Sequence, residues 1–225
     1  MDRIIRAFAL GLAAVLLLAW GTLWLADEAG NPMAAAALGR VSALFGYRAP
    51  AGNVAGVVPL GGVQIGGPFH LVDHNGAPVT EADYRGRWML VYFGYTFCPD
   101  VCPTELQTIA AALDKLGADA AKVVPLFITV DPGRDTPQVL ANYVKLFDDR
   151  IIGLTGTPAQ IADVARNFRV YYAKVAAKDD AAYVMDHSSF VYLIDPKGRL
   201  AALFNQDTSV DELAVGIQER ISQKS

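Results

Sequence analysis

The sequence predicts an α/β domain built on a central mixed sheet, and three observations carry that prediction. From about residue 67 onward, short apolar runs alternate with segments of helical periodicity. Two of the runs, Trp88 to Gly94 and Val123 to Val130, are continuously apolar, as strands covered on both faces are. The only two cysteines, Cys98 and Cys102, stand between the first of these runs and the helical segment that follows it. Strands alternating with helices put helices on both faces of one sheet.

Each element has its own signal. Phe69 to Val72 reads as a short strand, with Asp73-His74-Asn75-Gly76 as its turn. Trp88 to Gly94 is the central strand. Pro103 to Leu116 is a helix, with Leu106, Ile109, Ala110 and Leu113 on one face. Val123 to Val130 is a second buried strand. Pro137 to Phe147 is a helix with proline in its tolerant first turn. Ile151 to Leu154 is a strand, followed by a helix from Pro158 to Phe168. Tyr171 to Val175 reads as half of an inserted hairpin. Phe190 to Ile194 is a strand, Asp195-Pro196-Lys197-Gly198 a turn, and Leu200 to Phe204 the return strand. Val210 to Ile221 closes the domain as an amphipathic helix. A CxxC-like pair at the first βα corner points to the thioredoxin-like arrangement.

The N-terminal region has a different composition. From Ala7 to Ala26 there is no charged residue, and about 20 apolar residues suffice to cross a hydrocarbon core as a helix. Arg3 and Arg6 precede the run; Asp27 and Glu28 follow it. The positive-inside rule then leaves residues 1–6 in the cytoplasm and sends the rest of the chain across. A cleaved signal peptide is the rival reading, although its apolar region is usually about 7–15 residues, shorter than this run. Residues 27–66, rich in Gly, Ala and Pro, read as a linker, with a short helix expected around Ala34 to Phe45. Residues 67–225 form the folded domain. The net charge of −4 gives no electrostatic footprint for nucleic acid.

The chemistry centres on Cys98-Pro99-Asp100-Val101-Cys102-Pro103. On a helical first turn, residues four apart point their side chains the same way. Such a pair closes a disulfide or holds a soft metal ion. Asp100 either tunes the thiols or caps the helix. His187 stands just before the expected strand Phe190 to Ile194. In a thioredoxin-like sheet the loop entering that strand packs against the cysteine corner, which brings an imidazole beside two sulfurs. Two sulfurs and one nitrogen suit Cu(I), and Cu(II) with a weak further ligand. Zinc is the weaker choice, since a structural zinc site is normally closed by four strong ligands. Asp186 either orients His187 through its second ring nitrogen or is a solvated loop charge. His70 and His74 flank a turn far from the pair and read as ordinary polar residues.

Three motifs together resemble the Sco/SenC proteins, the copper-handling assembly factors of cytochrome c oxidase. They are Gly94-Tyr95-Thr96-Phe97-Cys98-Pro99-Asp100-Val101-Cys102-Pro103, Thr129-Val130-Asp131-Pro132-Gly133-Arg134-Asp135-Thr136-Pro137, and Asp186-His187-Ser188. The resemblance runs from about Gly67 to Phe204. It implies a thioredoxin-like fold tethered to the inner membrane. It also implies that Cys98, Cys102 and His187 bind one copper ion per chain. It further implies that copper then passes to the CuA site of oxidase subunit II. The Asp131 to Pro137 segment is expected to frame the site through Asp135 and Arg134. Some family members carry a histidine before the first cysteine; Phe97 occupies that position here. Extracytoplasmic thioredoxin-like reductases carry a cis-proline facing the cysteines. His187-Ser188-Ser189 stands in that region here, and three residues separate the cysteines where two are typical.

The leading expectation is therefore a membrane-anchored copper chaperone, not primarily an enzyme. The expected location is the bacterial periplasm, or the intermembrane space if the source is mitochondrial. Besides subunit II, a copper donor and a thiol reductant are the expected partners. The alternative is a thiol–disulfide oxidoreductase that reduces the CuA-site cysteines, with Cys98 attacking and Cys102 resolving.

Overall fold

The computed structural model describes residues 65–176 and 183–223. The expected cytoplasmic N-terminus, the membrane span over 7–26, the helix around Ala34 to Phe45 and almost all of the linker lie outside the described residues. No helix among the described residues is long and apolar enough to cross a membrane.

The order along the chain is β1 (His70–Asp73), β2 (Pro78–Thr80), β3 (Trp88–Gly94), α1 (Val101–Lys115), β4 (Val123–Thr129), α2 (Pro137–Val144), β5 (Ile152–Thr155), α3 (Pro158–Phe168), β6 (Tyr172–Ala176), β7 (Tyr183–His187), β8 (Val191–Ile194), β9 (Leu200–Phe204) and α4 (Val210–Ser222). Seven strands form one mixed sheet in the order β2-β1-β5-β4-β3-β8-β9. The inner strands β5, β4 and β3 run parallel, and the flanking pairs are antiparallel. β6 and β7 form a separate two-stranded hairpin. The mixed α/β fold expected from the sequence is present.

Every residue of β3 and β4 is buried, because both faces of the sheet are covered. On one face the Phe93 ring meets Phe168 of α3 at 5.3 Å and Tyr192 at 5.9 Å. On the other, Tyr92 stacks on Phe127 at 6.2 Å. That second face carries α1, with Cys102 against Gly94, and α2, with Leu140 and Val144 over Gly153. It also carries α4, where Gly216 lets the Phe204 ring approach. The helices begin on local caps. Thr136 accepts from the Val139 amide, while Thr157 with Gln160 and Ser209 with Glu212 form capping boxes.

Three departures from the sequence expectations have physical causes. β7 supplies the missing half of the inserted hairpin; its polar Asp186 and His187 break the apolar run that would announce a strand. β2 begins with a proline, which an edge position tolerates because no ladder donor is needed there. α1 starts at Val101, two residues before the expected Pro103, since proline fits within a helix's first turn.

Candidate metal centre

β3 ends at Gly94, and the chain turns through residues 95–100 into α1. The turn is held by the Cys98 amide donating to the Tyr95 carbonyl at 3.3 Å. The spacing of the cysteines suggests that both lie on one helical turn, but only Cys102 does. Cys98 precedes the helix, and Asp100 is the N-cap. The Asp100 side chain makes no capping bond. The Cys98 sulfur takes that role, accepting the Cys102 amide at 3.4 Å. The next residue, Pro103, has no amide to satisfy. A sulfur at the positive end of a helix is stabilised as a thiolate.

Cys102 is fully buried and Cys98 half-buried; both are free. Gly94 makes room for the buried sulfur: a Cβ on Gly94 would lie 2.9 Å from Cys102 Sγ. The Cys102 thiol, as hydrogen-bond donor, holds Cys98 well below the ordinary thiol range against the opposing effect of burial. Cys102 is pushed up by the neighbouring Cys98 sulfur and by burial. The pair is thus asymmetric, with the negative charge on Cys98 and the proton on Cys102.

His187 is the last residue of β7, paired with Tyr172 of β6. Alternation along β7 turns Tyr183, Met185 and His187 inward, and leaves Val184 and Asp186 exposed. Asp186 is therefore not the group that orients the ring. The His187 Nδ1 lies 3.1 Å from the Ser188 carbonyl, and Nε2 lies 3.4 Å from Cys102 Sγ. A carbonyl only accepts, so Nδ1 carries the proton and Nε2 presents its lone pair to the sulfurs. The Tyr92 and Tyr95 rings meet the imidazole edge-on, with centroids at 6.4 and 5.8 Å.

The ligand atoms of Cys98, Cys102 and His187 all lie within 4.8 Å of one another. No other such group of three or more Cys, His, Asp or Glu occurs among the described residues. His70 is exposed on β1, and His74 Nδ1 accepts the Gly153 amide at 2.9 Å; neither joins the cluster.

The loop after β4 braces the site. Asp135, fully buried, accepts from the Thr96 amide at 3.0 Å, from Thr96 Oγ1 at 2.6 Å and from Thr129 Oγ1 at 2.6 Å. Burial nonetheless pushes its carboxyl upward. Two neighbours of the site escaped sequence reasoning. Glu105 is buried one turn after Cys102, and burial lifts its carboxyl to about 7. Tyr183 contacts the loop through Asp131 and Arg134. Phe97, 60% exposed beside Cys98, lines an open apolar groove with Val139, Tyr143 and Leu146.

Residues 58–222 match the SCO1/SenC family, a span that contains all three ligand candidates and the bracing loop. The chain belongs to this family. The mitochondrial SCO1 homologue 1 of Arabidopsis thaliana is 45% identical over 164 residues, covering 72% of this chain and 49% of that protein. This chain thus matches about half the length of that relative. The crystal structure of Arabidopsis thaliana ScoI with copper bound superposes with a TM-score of 0.68 at 45% identity, covering 71% of this chain and 99% of that one. Bradyrhizobium japonicum ScoI with copper bound gives 0.64 at 47% identity, covering 69% and 98%. The thioredoxin-like α/β arrangement of this SCO1/SenC chain is thus shared with relatives solved with copper.

Proposed function

We propose that this chain binds one copper ion through Cys98, Cys102 and His187 and delivers it to the CuA site of cytochrome c oxidase subunit II. The observation that carries this reading is the convergence of two sulfurs and one imidazole nitrogen within 4.8 Å. Thiolate and imidazole donors together select copper among the common biological metals when no fourth strong ligand closes a zinc site. Copper-bound relatives at 45% and 47% identity support it. In this reading the helix N-terminus and the Cys102 thiol keep Cys98 ready as a thiolate, and Ser188 fixes the His187 tautomer. Copper is cargo. It leaves by stepwise exchange as the acceptor's thiols replace the ligands of this chain. We place the anchor at residues 7–26 and the domain on the periplasmic side of the inner membrane, from the charge-free run and its flanking arginines.

The cysteine asymmetry favours a second reading at the same site, that of a thiol–disulfide oxidoreductase. Cys98 thiolate attacks an acceptor disulfide and forms a mixed disulfide. Cys102, once deprotonated, displaces the second acceptor thiol. Two electrons pass to the acceptor, and the Cys98–Cys102 disulfide that forms is returned to the dithiol by an external dithiol reductant.

The test is copper stoichiometry and competition affinity of the reduced protein, followed by mixing with the apo CuA domain of subunit II. One tightly bound copper per chain that appears in the CuA domain supports the chaperone. Weak binding indifferent to His187→Ala overturns it and leaves the reductase.

A further inference from the structure

The hairpin that carries His187 shares no strand ladder with the seven-stranded sheet among the described residues. Its position depends on other contacts. At the His187 end, the Ser188 amide donates to the Tyr171 carbonyl at 2.9 Å, and the Tyr171 amide donates to Ser188 Oγ at 3.1 Å. These bonds close the hairpin on itself and do not dock it on the cysteine corner.

Besides the Tyr92 and Tyr95 rings that meet His187 edge-on, the polar docking contacts are at the other end of β7. Tyr183 Oη donates to Asp131 at 2.8 Å. Arg134 donates from Nη1 to the Tyr183 carbonyl at 3.0 Å, and its Nε pairs with Asp131. The guanidinium carbon lies 3.7 Å from the Tyr183 ring centroid and 4.7 Å from that of Phe97. Arg134 thus lies over both a ring of the histidine strand and a ring next to Cys98. Lys174 of β6 lies 3.6 Å from the Tyr183 ring centroid. Asp135, next to Arg134, fastens Thr96 of the cysteine turn. One loop therefore grips both ligand-bearing segments.

We propose that Arg134 and Tyr183 are positioning residues that set where His187 stands against the two cysteine sulfurs, and so set copper affinity. This rests on the copper reading above. Tyr183 and His187 lie on the same inward face of β7, so a tilt of the strand at Tyr183 is transmitted to the imidazole. A planar guanidinium stacked on two rings while bonding a carboxylate and a carbonyl has one orientation; lysine, a point charge, cannot replace it.

The experiment measures Cu(I) affinity against a chelator and the Cu(II) paramagnetic resonance spectrum on the full chain in mild detergent. It compares wild type, Arg134→Ala, Arg134→Lys, Tyr183→Phe, Tyr183→Ala, His187→Ala and Arg134→Ala/His187→Ala. Arg134→Ala and Tyr183→Ala are expected to weaken copper binding by about 10–100-fold, the range that outer partners of metal ligands usually carry. Their nitrogen hyperfine signal should fade with it. Arg134→Lys is expected to lose affinity like Arg134→Ala. Tyr183→Phe keeps the stacked ring and should recover most of the affinity that Tyr183→Ala loses. The double variant should bind no more weakly than His187→Ala alone, because the clasp acts through that ligand. Additive losses in the double variant overturn the proposal, as does an unchanged nitrogen signal in both Arg134 variants. If an alanine variant does not fold, Arg134→Lys and Tyr183→Phe decide it. Wild-type protein that binds no copper overturns the copper reading itself, and this proposal with it.

Discussion

His187 Nε2 lies 3.4 Å from Cys102 Sγ, although 85 residues separate them along the chain. The Ser188 carbonyl holds the other ring nitrogen. This fixes the tautomer that faces the sulfurs and splits the two proposed activities. Copper binding needs the nitrogen ligand, whereas disulfide exchange needs only the two sulfurs. His187→Ala should lower copper affinity by at least about 100-fold, the upper end of what losing an outer partner alone costs. The same variant should keep most of its activity in reducing a model disulfide. Parallel chelator-competition and disulfide-reduction assays check this, and equal losses in both would refute the division of roles.

The asymmetry of the cysteines predicts different reactivities. Cys98 is held below the ordinary thiol range by the Cys102 thiol, and Cys102 is raised by the Cys98 sulfur and by burial. In the reduced native protein, iodoacetamide should alkylate Cys98 and spare Cys102. The Cys98 rate should be nearly flat from about pH 6 to 8, where an ordinary thiol of pKa about 8.5 accelerates close to tenfold per pH unit. Cys102→Ala removes the donor, so the Cys98 rate should regain a pH dependence. Peptide mapping by mass spectrometry after timed quenching reads both effects. A steep wild-type profile would contradict the assignment of the thiolate to Cys98.

What the sequence made legible follows from where the signals lie. β3 and β4 are continuous apolar runs, and the cysteine pair marks the corner after β3, so the sheet core and two ligand candidates could be read directly. His187 could be placed only through its position before β8. The half of the hairpin that carries it was hidden, since its inward Tyr183, Met185 and His187 do not form an apolar set. Tyr183 gave no signal because its partner Arg134 lies 49 residues away. Glu105 was hidden for a different reason. A glutamate within a helix ordinarily faces solvent, yet the close packing of α1 on the sheet turns this one inward. The capping role of the Cys98 sulfur was also out of reach, because Asp100 is the residue type that usually fills it.

Gly94 is where the sheet and the site come closest. A Cβ there would lie 2.7 Å from Phe127 Cε2 and 2.9 Å from Cys102 Sγ. Neither neighbour has room to give way, since both are fully buried. Gly94→Ala is therefore an overpacking substitution and should destabilise the domain by about 1–3 kcal/mol. It should also displace the Cys102 sulfur and weaken copper binding. Gly76→Ala is a useful contrast. No atom lies within 4 Å of its Cβ position, and its φ of +85° supplies backbone strain alone. Urea midpoints measure stability in both. Copper affinity should fall in Gly94→Ala and hold in Gly76→Ala.

Glu105 makes the fold's stability depend on pH. Burial raises its carboxyl from 4.5 to about 7 in the folded protein. Below pH 4.5 the group is protonated in both states and favours neither. Between about pH 4.5 and 7 the unfolded chain ionises while the folded one stays neutral, so this group's contribution to folding falls as pH rises. Above about pH 7 the loss is complete, and at about 1.4 kcal/mol per pH unit it amounts to roughly 3 kcal/mol. Glu105→Gln removes the titration and leaves a neutral side chain of similar shape. Its stability relative to wild type should therefore rise between pH 4.5 and 7 and level off above. Urea unfolding of the reduced, metal-free proteins at several pH values measures the difference. A constant difference across that window would mean that Glu105 is ionised in the fold, with a partner for its charge inside α1's packing.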